Sequence, residues 1–266
     1  MEAEIRRLLG ETAAVGTRIC CFPEVDSTNT RAKEMALEGA PHGTVVLADC
    51  QTAGRGRLGR TFQSPKGKGL YGSVLLRPDL PAERLAPVTA LAGAAACRAV
   101  ERVCGIYPAL KWPNDLVLNG KKLCGILTEL VTDAGGSLCL IVGVGINVAQ
   151  CAEDFTPEVA EVAASLEMLL GRAVSRPALT AALLEELDRA YQKLEAGALE
   201  EELAFYREHC LNLGRPVRLQ GPEGTQEALA VNVDGGFGLV VRLPDGTEKT
   251  IRSGEVSVRG PDGYAE

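Results

Sequence analysis

Residues 54–60 alternate glycine and arginine directly after a predicted buried strand, and this segment constrains the fold more than any other. The β-branched run of residues 44–49 predicts that strand. Arg55, Arg57 and Arg60 place fixed positive charges on a backbone that glycines allow to approach a ligand closely. Because backbone N–H groups must reach the ligand, a strand that ends in such a loop indicates a domain that wraps a small anion.

The charge around this loop runs against the charge of the whole chain. Residues 50–78 contain six Lys or Arg and no Asp or Glu, whereas the chain has a net charge of −7. A positive island in an acidic protein indicates an anionic partner. The acidic balance and an aromatic content of only 4% argue against a protein that coats DNA or stacks single-stranded nucleic acid.

Length and composition indicate a soluble protein of the reducing cytoplasm. The 266 residues suffice for one sizeable core and a small second unit. We find neither an apolar run of about 18 residues nor a signal peptide, and therefore expect no membrane partner. The nine cysteines are odd in number, form no CxxC pair and lie mostly in apolar segments, so we expect buried thiols. The two histidines have no clustered cysteine partners, which argues against a zinc site.

The order of predicted elements indicates an α+β fold, with flanking helices on a mixed or antiparallel sheet, rather than a doubly wound one. Asp26 to Asn29 carry helix-capping side chains, and Gly39 is a natural stop for the helix that they begin. Asn119-Gly120 predicts a hairpin turn. Strands are predicted near residues 69–77, 109–111, 116–118, 123–132 and 138–148, and helices near 82–104, 158–170, 176–195 and 198–211.

The pattern changes after residue 212. Short alternating segments separated by Gly, Pro and Asp turns predict a small β-barrel of the SH3-like kind. We assign residues 1–212 to a catalytic domain and residues 213–266 to this barrel. A unit of about 50 residues is near the lower limit for independent stability, so we expect it to dock against the larger domain.

Three further segments place polar residues where a buried strand ends or begins. They are Lys-Trp-Pro-Asn-Asp at 111–115, Lys-Lys-Leu-Cys-Gly-Ile-Leu at 121–127 and Gly-Val-Gly-Ile-Asn at 143–147. Together with Ser27-Thr28-Asn29, the 54–60 loop and residues 254–259, they occur in an order that resembles the biotin protein ligase family. The resemblance extends from about residue 26 to residue 259.

The resemblance implies a two-step reaction. Biotin's carboxylate attacks the α-phosphate of ATP, with Mg²⁺ on the phosphates, to give biotinyl-5′-AMP and pyrophosphate. A lysine of a biotin carboxyl carrier protein or domain of a carboxylase then takes the biotin as an amide. Because only about 25 residues precede Asp26, too few for a helix-turn-helix domain, we expect the short class that does not bind DNA.

The family's roles carry over onto matching positions. We expect Lys122, Arg57, Lys111 and Asp115 to serve catalysis, with Asp115 mainly orienting the acceptor lysine. Biotin-binding residues would be Ser27, Thr28, Asn29, Gln51, Gly54, Arg55, Gly56, Arg57, Lys122 and Gly125. ATP-binding residues would be Arg55, Arg57, Arg60, Phe62, Lys111, Asn114 and Asn147. No residue is assigned to the metal.

The chain departs from the family pattern at Leu58, where a third consecutive basic residue is common, and at Phe62, where a Trp often packs over the adenylate. Other interpretations stay open: Ser27 and Thr28 as helix caps, a lipoate or octanoate ligase or transferase of the same fold, or a non-catalytic biotin sensor. Strand pairing through residues 143–148 would give a homodimer. Glu255 and Arg259 are the barrel residues expected to reach a site.

Overall fold

A computed structural model describes residues 1–133, 135–221 and 224–252 and the backbone of residues 257–259. The described chain contains two β-sheets and the helices that flank the first of them. The helices are α1 Glu2–Leu8, α2 Thr28–Leu37, α3 Val88–Cys104, α4 Pro157–Ala160, α5 Leu166–Leu170, α6 Arg176–Ala196 and α7 Glu200–His209. The strands are β1 Arg18–Phe22, β2 Thr44–Ala48, β3 Gly69–Leu76, β4 Ala109–Lys111, β5 Asp115–Leu118, β6 Lys121–Thr132, β7 Leu138–Asn147, β8 Pro216–Gly221, β9 Gly224–Val233, β10 Leu239–Arg242, β11 Glu248–Ile251 and β12 Ser257–Arg259.

The larger sheet has seven strands in the order β1-β2-β3-β7-β6-β5-β4. Only β1 and β2 pair in parallel, and the other neighbours are antiparallel. The predicted α+β class with a mixed sheet is therefore confirmed. Neither β1 nor α1 is among the predicted elements. The five residues of β1 show no alternation of polar and apolar side chains, so no strand pattern marks them.

Helices cover the two faces of this sheet unequally. Helices α3 and α6 pack together on one face and form the main hydrophobic core with alternate residues of β3, β6 and β7. On the other face, α2 forms a smaller cluster in which Met35 and Ala36 meet Leu75 and Ile141. Beyond α2 that second face carries polar residues and glycines, and there the candidate site lies.

Two predicted helices are interrupted. The 82–104 helix divides at Pro87 into a short 3₁₀ turn and α3, because proline has no N–H for the helical ladder. The 158–170 helix divides into α4 and α5, because Ala163 between them forms a parallel bridge to Lys122 at the start of β6. The backbone N–H of Lys122 donates to the carbonyl of Val162 at 2.7 Å in that bridge.

The homodimer interpretation through residues 143–148 loses its structural basis. Strand β7, which contains Gly143 to Asn147, pairs with β3 on one side and β6 on the other. A strand with two hydrogen-bonded neighbours has no free ladder groups for a second chain.

The smaller sheet has the order β11-β10-β9-β8-β12, and all its pairs are antiparallel. It docks on the larger unit through Trp112, whose indole N–H donates to the carbonyl of Phe237 at 2.9 Å, and through an edge-to-face contact of Tyr206 with Phe237. The sheet is consistent with the SH3-like prediction, and the division at residue 213 remains our proposal. Glu255 and the side chain of Arg259 lie outside the described residues. No helix in the described ranges has the length and apolarity needed to cross a bilayer.

Candidate active site

A single open cavity on the polar half of the second sheet face collects most of the predicted site residues. Its volume, including solvent at its mouth, is about 970 Å³. Of the predicted residues, all but Gly54 and Asn147 line it: Ser27, Thr28, Asn29, Gln51, Arg55, Gly56, Arg57, Arg60, Phe62, Lys111, Asn114, Asp115, Lys122 and Gly125.

Glycines form the floor of this cavity. Gly125 and Gly145 are cross-strand partners on β6 and β7, and the ring of Phe62 lies against both. A Cβ on Gly145 would come within 2.8 Å of that ring. A Cβ on Gly143 would come within 2.1 Å of Asn29 Oδ1, closer than any real contact. The glycines therefore admit Phe62 and Asn29 to the sheet surface, in agreement with the close packing that the sequence left open for Gly143 and Gly145.

The 54–60 loop is held by its own hydrogen bonds. Gly56 N–H donates to the carbonyl of Arg60 at 2.7 Å, and Phe62 N–H donates to the carbonyl of Gly54 at 2.9 Å. Leu58 stands at the exposed tip with a φ of 56°, in the left-handed region. Gly54 is buried beneath the loop and does not line the cavity. Because it has no side chain, the chain at Phe62 can pass close to it.

Arg57 points from this loop into the cavity and is partly buried. Its Nη1 donates to Asn114 Oδ1 at 3.1 Å, whereas its buried Nη2 has no hydrogen-bond partner among the described residues. Burial lowers the pKa of Arg57, although the nearby Asp115 carboxylate opposes this. A guanidinium remains charged all the same. A buried cationic nitrogen without a partner is costly, and an anionic ligand is the group that satisfies it.

Two lysines and a carboxylate meet at the opposite wall. Lys122 Nζ lies 2.7 Å from Asp115 Oδ1, and both side chains are mostly buried. Lys111 is the cross-strand neighbour of Asp115 and is only 4% exposed. The hairpin at Asn119-Gly120, whose two residues have φ values of 50° and 73°, returns the chain so that these segments face each other.

Glu129 on β6 contacts residues that line the cavity, and it was not among the predicted site residues. Its carboxylate lies 2.5 Å from Lys33 Nζ and 3.2 Å from Arg55 Nη1, and it accepts a hydrogen bond from Asn29. Burial alone would raise the pKa of Glu129, but the Lys33, Asn29 and Arg55 contacts outweigh it and hold that pKa below its usual value. Arg55 therefore pairs with a carboxylate of the sheet in this structure. Arg60 is exposed at the rim.

Hydrogen bonds join the residues predicted to bind biotin into a wall. Gln51 Oε1 accepts from the backbone N–H of Thr28 at 2.8 Å, and Gln51 Nε2 donates to Ser64 Oγ at 2.7 Å. Ser27 is the N-cap residue of α2, as the helix-cap interpretation expected, but its side chain makes no capping hydrogen bond. No pattern in the sequence marks Ser64 or the fully buried Ser73 behind this wall.

Asn147 lies at the end of β7 and outside the lining of the cavity. It is 3% exposed; its Nδ2 donates to the carbonyl of Ala164 at 3.3 Å, and its Oδ1 accepts from Gln150 at 3.1 Å. By strand alternation it shares a sheet face with Gly143 and Gly145, two residues beyond the cavity floor. Its expected contact with adenine stays a prediction.

No group of three His, Cys, Asp or Glu side chains with metal-binding geometry occurs within the described residues. The buried thiol of Cys124 has a pKa raised by desolvation, in line with packing and not catalysis. What the cavity supplies chemically is positive charge and a carboxylate paired with a lysine.

Comparisons with known proteins place this arrangement in a family. Residues 21–147 match the biotin/lipoate A/B protein ligase family. The bifunctional ligase/repressor BirA of Bacillus subtilis (strain 168) is 34% identical over 248 residues, covering 93% of this chain and 76% of that protein. The biotin–[acetyl-CoA-carboxylase] ligase of Mycobacterium tuberculosis is 35% identical over 207 residues, covering 76% and 74%.

Among solved structures, the biotin protein ligase from Aquifex aeolicus in complex with biotin and ATP superposes with a TM-score of 0.81. It is 34% identical, and the match covers 92% of this chain and 99% of that one. An identity of this level over nearly the whole of both chains, together with the same fold, shows that the two proteins are homologous. The chain belongs to the biotin protein ligase family.

Proposed function

We propose that this protein is an AMP-forming biotin ligase. It activates biotin with ATP to biotinyl-5′-AMP and transfers the biotin to a lysine of a biotin carboxyl carrier protein or domain. The relatives in the preceding subsection support biotin as the acyl group. The two reaction steps are those that the family resemblance implies, and the charges that line the cavity support them.

One observation carries the proposal: a buried guanidinium nitrogen of Arg57, which has no hydrogen-bond partner in the described part of the chain, belongs to a glycine-floored cavity that Lys111 and Lys122 also line. A carboxylate and a triphosphate repel each other. Two unit charges about 4 Å apart interact by roughly 1–4 kcal/mol between bulk water and a protein surface. Cations on separate segments offset this repulsion and stabilise the charge that develops on the α-phosphate in the transition state.

The second step requires a lysine without its proton. At its ordinary pKa of about 10.4, an acceptor lysine is only about 0.1% neutral at cellular pH. Asp115 is already paired with Lys122 at 2.7 Å. An incoming amine therefore enters an existing ion pair, and this arrangement suits orientation of the amine by Asp115 better than strong base catalysis. Lys122 then holds the carboxylate or phosphate oxygens of the adenylate.

We propose that Mg²⁺ enters with ATP and is held chiefly by phosphate oxygens, since Mg²⁺ keeps several waters and usually takes few protein ligands. Asn114 and Asp115 line the same cavity, and their side chains carry oxygens of the type that Mg²⁺ accepts. A cytoplasmic location and a homodimer remain predictions.

The direct test incubates the purified protein with biotin, ATP, Mg²⁺ and an apo carrier domain. We expect pyrophosphate release on adding biotin and ATP, and streptavidin-detectable biotin on the carrier but not on a carrier whose acceptor lysine is replaced by arginine. Absence of both products from folded protein would contradict the proposal. Pyrophosphate release without labelling of the carrier would support the activation of biotin and contradict the carrier domain used as the acceptor.

The matched family includes lipoate ligases, so the acyl group needs its own test. A ligand that binds only the folded state raises the midpoint of thermal unfolding, and at a given concentration the tighter ligand raises it more. We expect micromolar biotin to raise that midpoint, and lipoate or octanoate at the same concentration to leave it unchanged. A midpoint raised by lipoate or octanoate and not by biotin would instead assign the protein to the lipoate ligases of the family.

A further inference from the structure

Glu129 stands just beyond the cavity floor, and neither the sequence analysis nor the family resemblance gave it a role. Side chains along a strand alternate between the two faces, so Gly125, Leu127 and Glu129 share one face of β6. Gly125 and Leu127 line the cavity, whereas Glu129 does not. The Glu129 side chain is only 18% exposed. A carboxylate withdrawn from water to this extent needs partners within the protein.

Three donors from two elements satisfy that carboxylate. Asn29 Nδ2 donates to its Oε2 at 2.8 Å, and Lys33 Nζ lies 2.5 Å from its Oε1. Both residues belong to α2. The third donor, Arg55, comes from the 54–60 loop, and its Nη1 lies 3.2 Å from Oε1 and 3.4 Å from Oε2. Two cations on separate elements therefore share one carboxylate oxygen.

The loop has a second attachment nearer the start of β6. Arg57 Nη1 donates to Asn114 Oδ1 at 3.1 Å, and Asn114 Nδ2 donates in turn to the carbonyl of Ile126 at 3.0 Å. Glu129 follows three residues further along the strand, about 10 Å away at roughly 3.3 Å per residue. The loop is therefore tied to β6 at two separated points, directly at Glu129 and through Asn114.

The two attachments differ in kind. Arg57 is held by a neutral amide oxygen, and its buried Nη2 has no hydrogen-bond partner among the described residues. An anion can therefore satisfy that nitrogen without displacing a protein partner. The charge of Arg55 is already matched by Glu129, and moving Arg55 to an anion would leave a partly buried carboxylate with one cation fewer.

We propose that Glu129 is a positioning residue that anchors the 54–60 loop to the sheet through Arg55, and that this anchor keeps Arg57 in the cavity. Arg55 then serves the anchor and is not a third cation for the anion, which revises the expectation drawn from the charge of the loop. The inference rests on the proposed function for its consequence, which is retention of biotin and its adenylate by an attached loop. Glu129 itself does not contact the ligand.

Two substitutions at the shared oxygen separate an anchor of the loop from a general contact between α2 and β6. In Glu129→Gln, Arg55 loses its opposite charge, and Lys33 and Arg55 become like charges that face each other. Both changes favour release of the loop. In Lys33→Met, the carboxylate keeps Arg55, so the loop stays attached.

Trypsin cleavage of the ligand-free full chain after Arg57 measures release of that residue, because trypsin must take the arginine side chain into its own pocket. Mass spectrometry gives the initial rate, which follows the population of the open loop. We expect this rate to rise about threefold in Arg55→Met and at least about threefold in Glu129→Gln, the scale of a partly exposed ion pair. The double variant should match Arg55→Met alone, because Glu129 then has no loop partner.

Lys33→Met is the matched control, and its cleavage rate after Arg57 should not exceed that of the wild type. Arg55→Lys should also stay near the wild-type rate, because one nitrogen of Arg55 makes both contacts with the carboxylate. Cleavage after Arg102 on α3 reports unfolding of the larger domain and should not change. If Glu129→Gln fails to fold, the two Arg55 variants carry the test, since that side chain is exposed.

The functional consequence has its own readout. The rate constant for biotin dissociation, measured by stopped flow, should rise in Glu129→Gln and Arg55→Met by the same factor as the cleavage rate. It should be unchanged in Lys33→Met.

Equal cleavage rates in Lys33→Met and Glu129→Gln would assign Glu129 to the packing of α2 and overturn the anchor. An unchanged rate in Glu129→Gln, an equal rise after Arg102, or multiplying effects in the double variant would overturn it as well, while the proposed function stands. A wild-type protein that binds no biotin would overturn the proposed function, and the cleavage rates, measured without ligand, would still decide the anchor.

Discussion

The two faces of the seven-stranded sheet are made from alternate residues of the same strands, yet one face packs the main core and the other forms the binding cavity. Along β7, Val142 and Val144 belong to the main core with α3 and α6, whereas Gly143 and Gly145 floor the cavity. Period-two alternation permits this, because neighbouring side chains point to opposite sides. One strand thus holds the fold together with one half of its residues and forms the binding surface with the other.

The second face is itself divided. Under α2 it is apolar, with Ile141 and Leu75 against Met35. Past the start of α2 the same strands carry Ser73, Gly143 and other small or polar residues. Burying apolar side chains stabilises the fold, whereas a ligand site needs space and polar groups. Helix α2 therefore covers only the apolar part of this face, and the site lies on the part that the helix leaves uncovered.

The largest expected effect is on the binding face, from loss of a cation. Arg57→Ala and Lys122→Ala should each lower the rate of adenylate formation by about 10²–10³-fold, the scale of one electrostatic stabiliser. Their midpoints of thermal unfolding should stay near that of the wild type. Pyrophosphate release measures the rate, and Lys121→Ala, the adjacent lysine on the same turn, is the matched control. Unfolding of the Arg57 or Lys122 variant would instead assign that residue a structural part.

The core face should show the converse behaviour. Leu91 on α3 is 3% exposed in the main cluster, so Leu91→Ala should lower the free energy of unfolding by about 2–5 kcal/mol. Denaturant titration measures the change. Biotin affinity of the remaining folded protein should match the wild type. A loss of affinity as large as the loss of stability would show that the two faces are not independent.

Gly143→Ala tests whether the floor depends on an absent side chain. Its Cβ would collide with Asn29 Oδ1 at 2.1 Å, which displaces the wall, so we expect biotin to bind at least about tenfold more weakly. Gly235→Ala is the control, because no atom lies within 4 Å of the added Cβ there. Calorimetric titration of both variants decides. Equal affinities would mean that the wall adjusts at little cost.

The smallest effect concerns pH and the core side. Asp188 on α6 is buried and accepts backbone N–H bonds from Ala13, Ala14 and Val15. Burial raises the pKa of Asp188, but these hydrogen bonds outweigh it and the net shift is downward. A depressed folded-state pKa stabilises the protein above the unfolded value of about 3.9, and this contribution is lost as pH falls through the folded value.

Asp188→Asn should therefore cost about 1 kcal/mol of unfolding free energy at neutral pH and flatten the acid side of the stability curve. Unfolding curves between neutral pH and acid compare the two proteins, and biotin affinity at neutral pH should not change. If the free energy of unfolding falls equally steeply with decreasing pH in both proteins, carboxylates other than Asp188 cause the acid destabilisation.

Much of the site was predictable because charge and glycine are visible without coordinates. The acid-free, arginine-bearing loop, the Lys111 segment and Lys122 were each identified as polar groups at the ends of buried strands. The hidden members were not. Ser73 and Glu129 lie inside ordinary strand sequences, and no local signal distinguishes a serine that supports a ligand wall from one that fills space.

Element boundaries failed where long-range contacts overrode local preference. Residues 161–165 read as part of a helix, but the bridge of Ala163 to Lys122 draws this segment alongside β6. The first strand was not predicted because its five residues show no alternation of polar and apolar side chains, and its pairing with β2 is visible only in the folded chain. Hydrogen bonds between distant segments carry no local pattern.

Local sequence patterns were sufficient to predict an α+β domain with a positively charged glycine loop. Composition, periodicity and turn residues are local, and their physics acts over a few neighbouring positions. That the loop, the Lys111 strand and the Lys122 hairpin meet at one cavity could be seen only in the folded chain. This depends on distances between groups far apart in the chain, which are settled when the whole sheet is assembled.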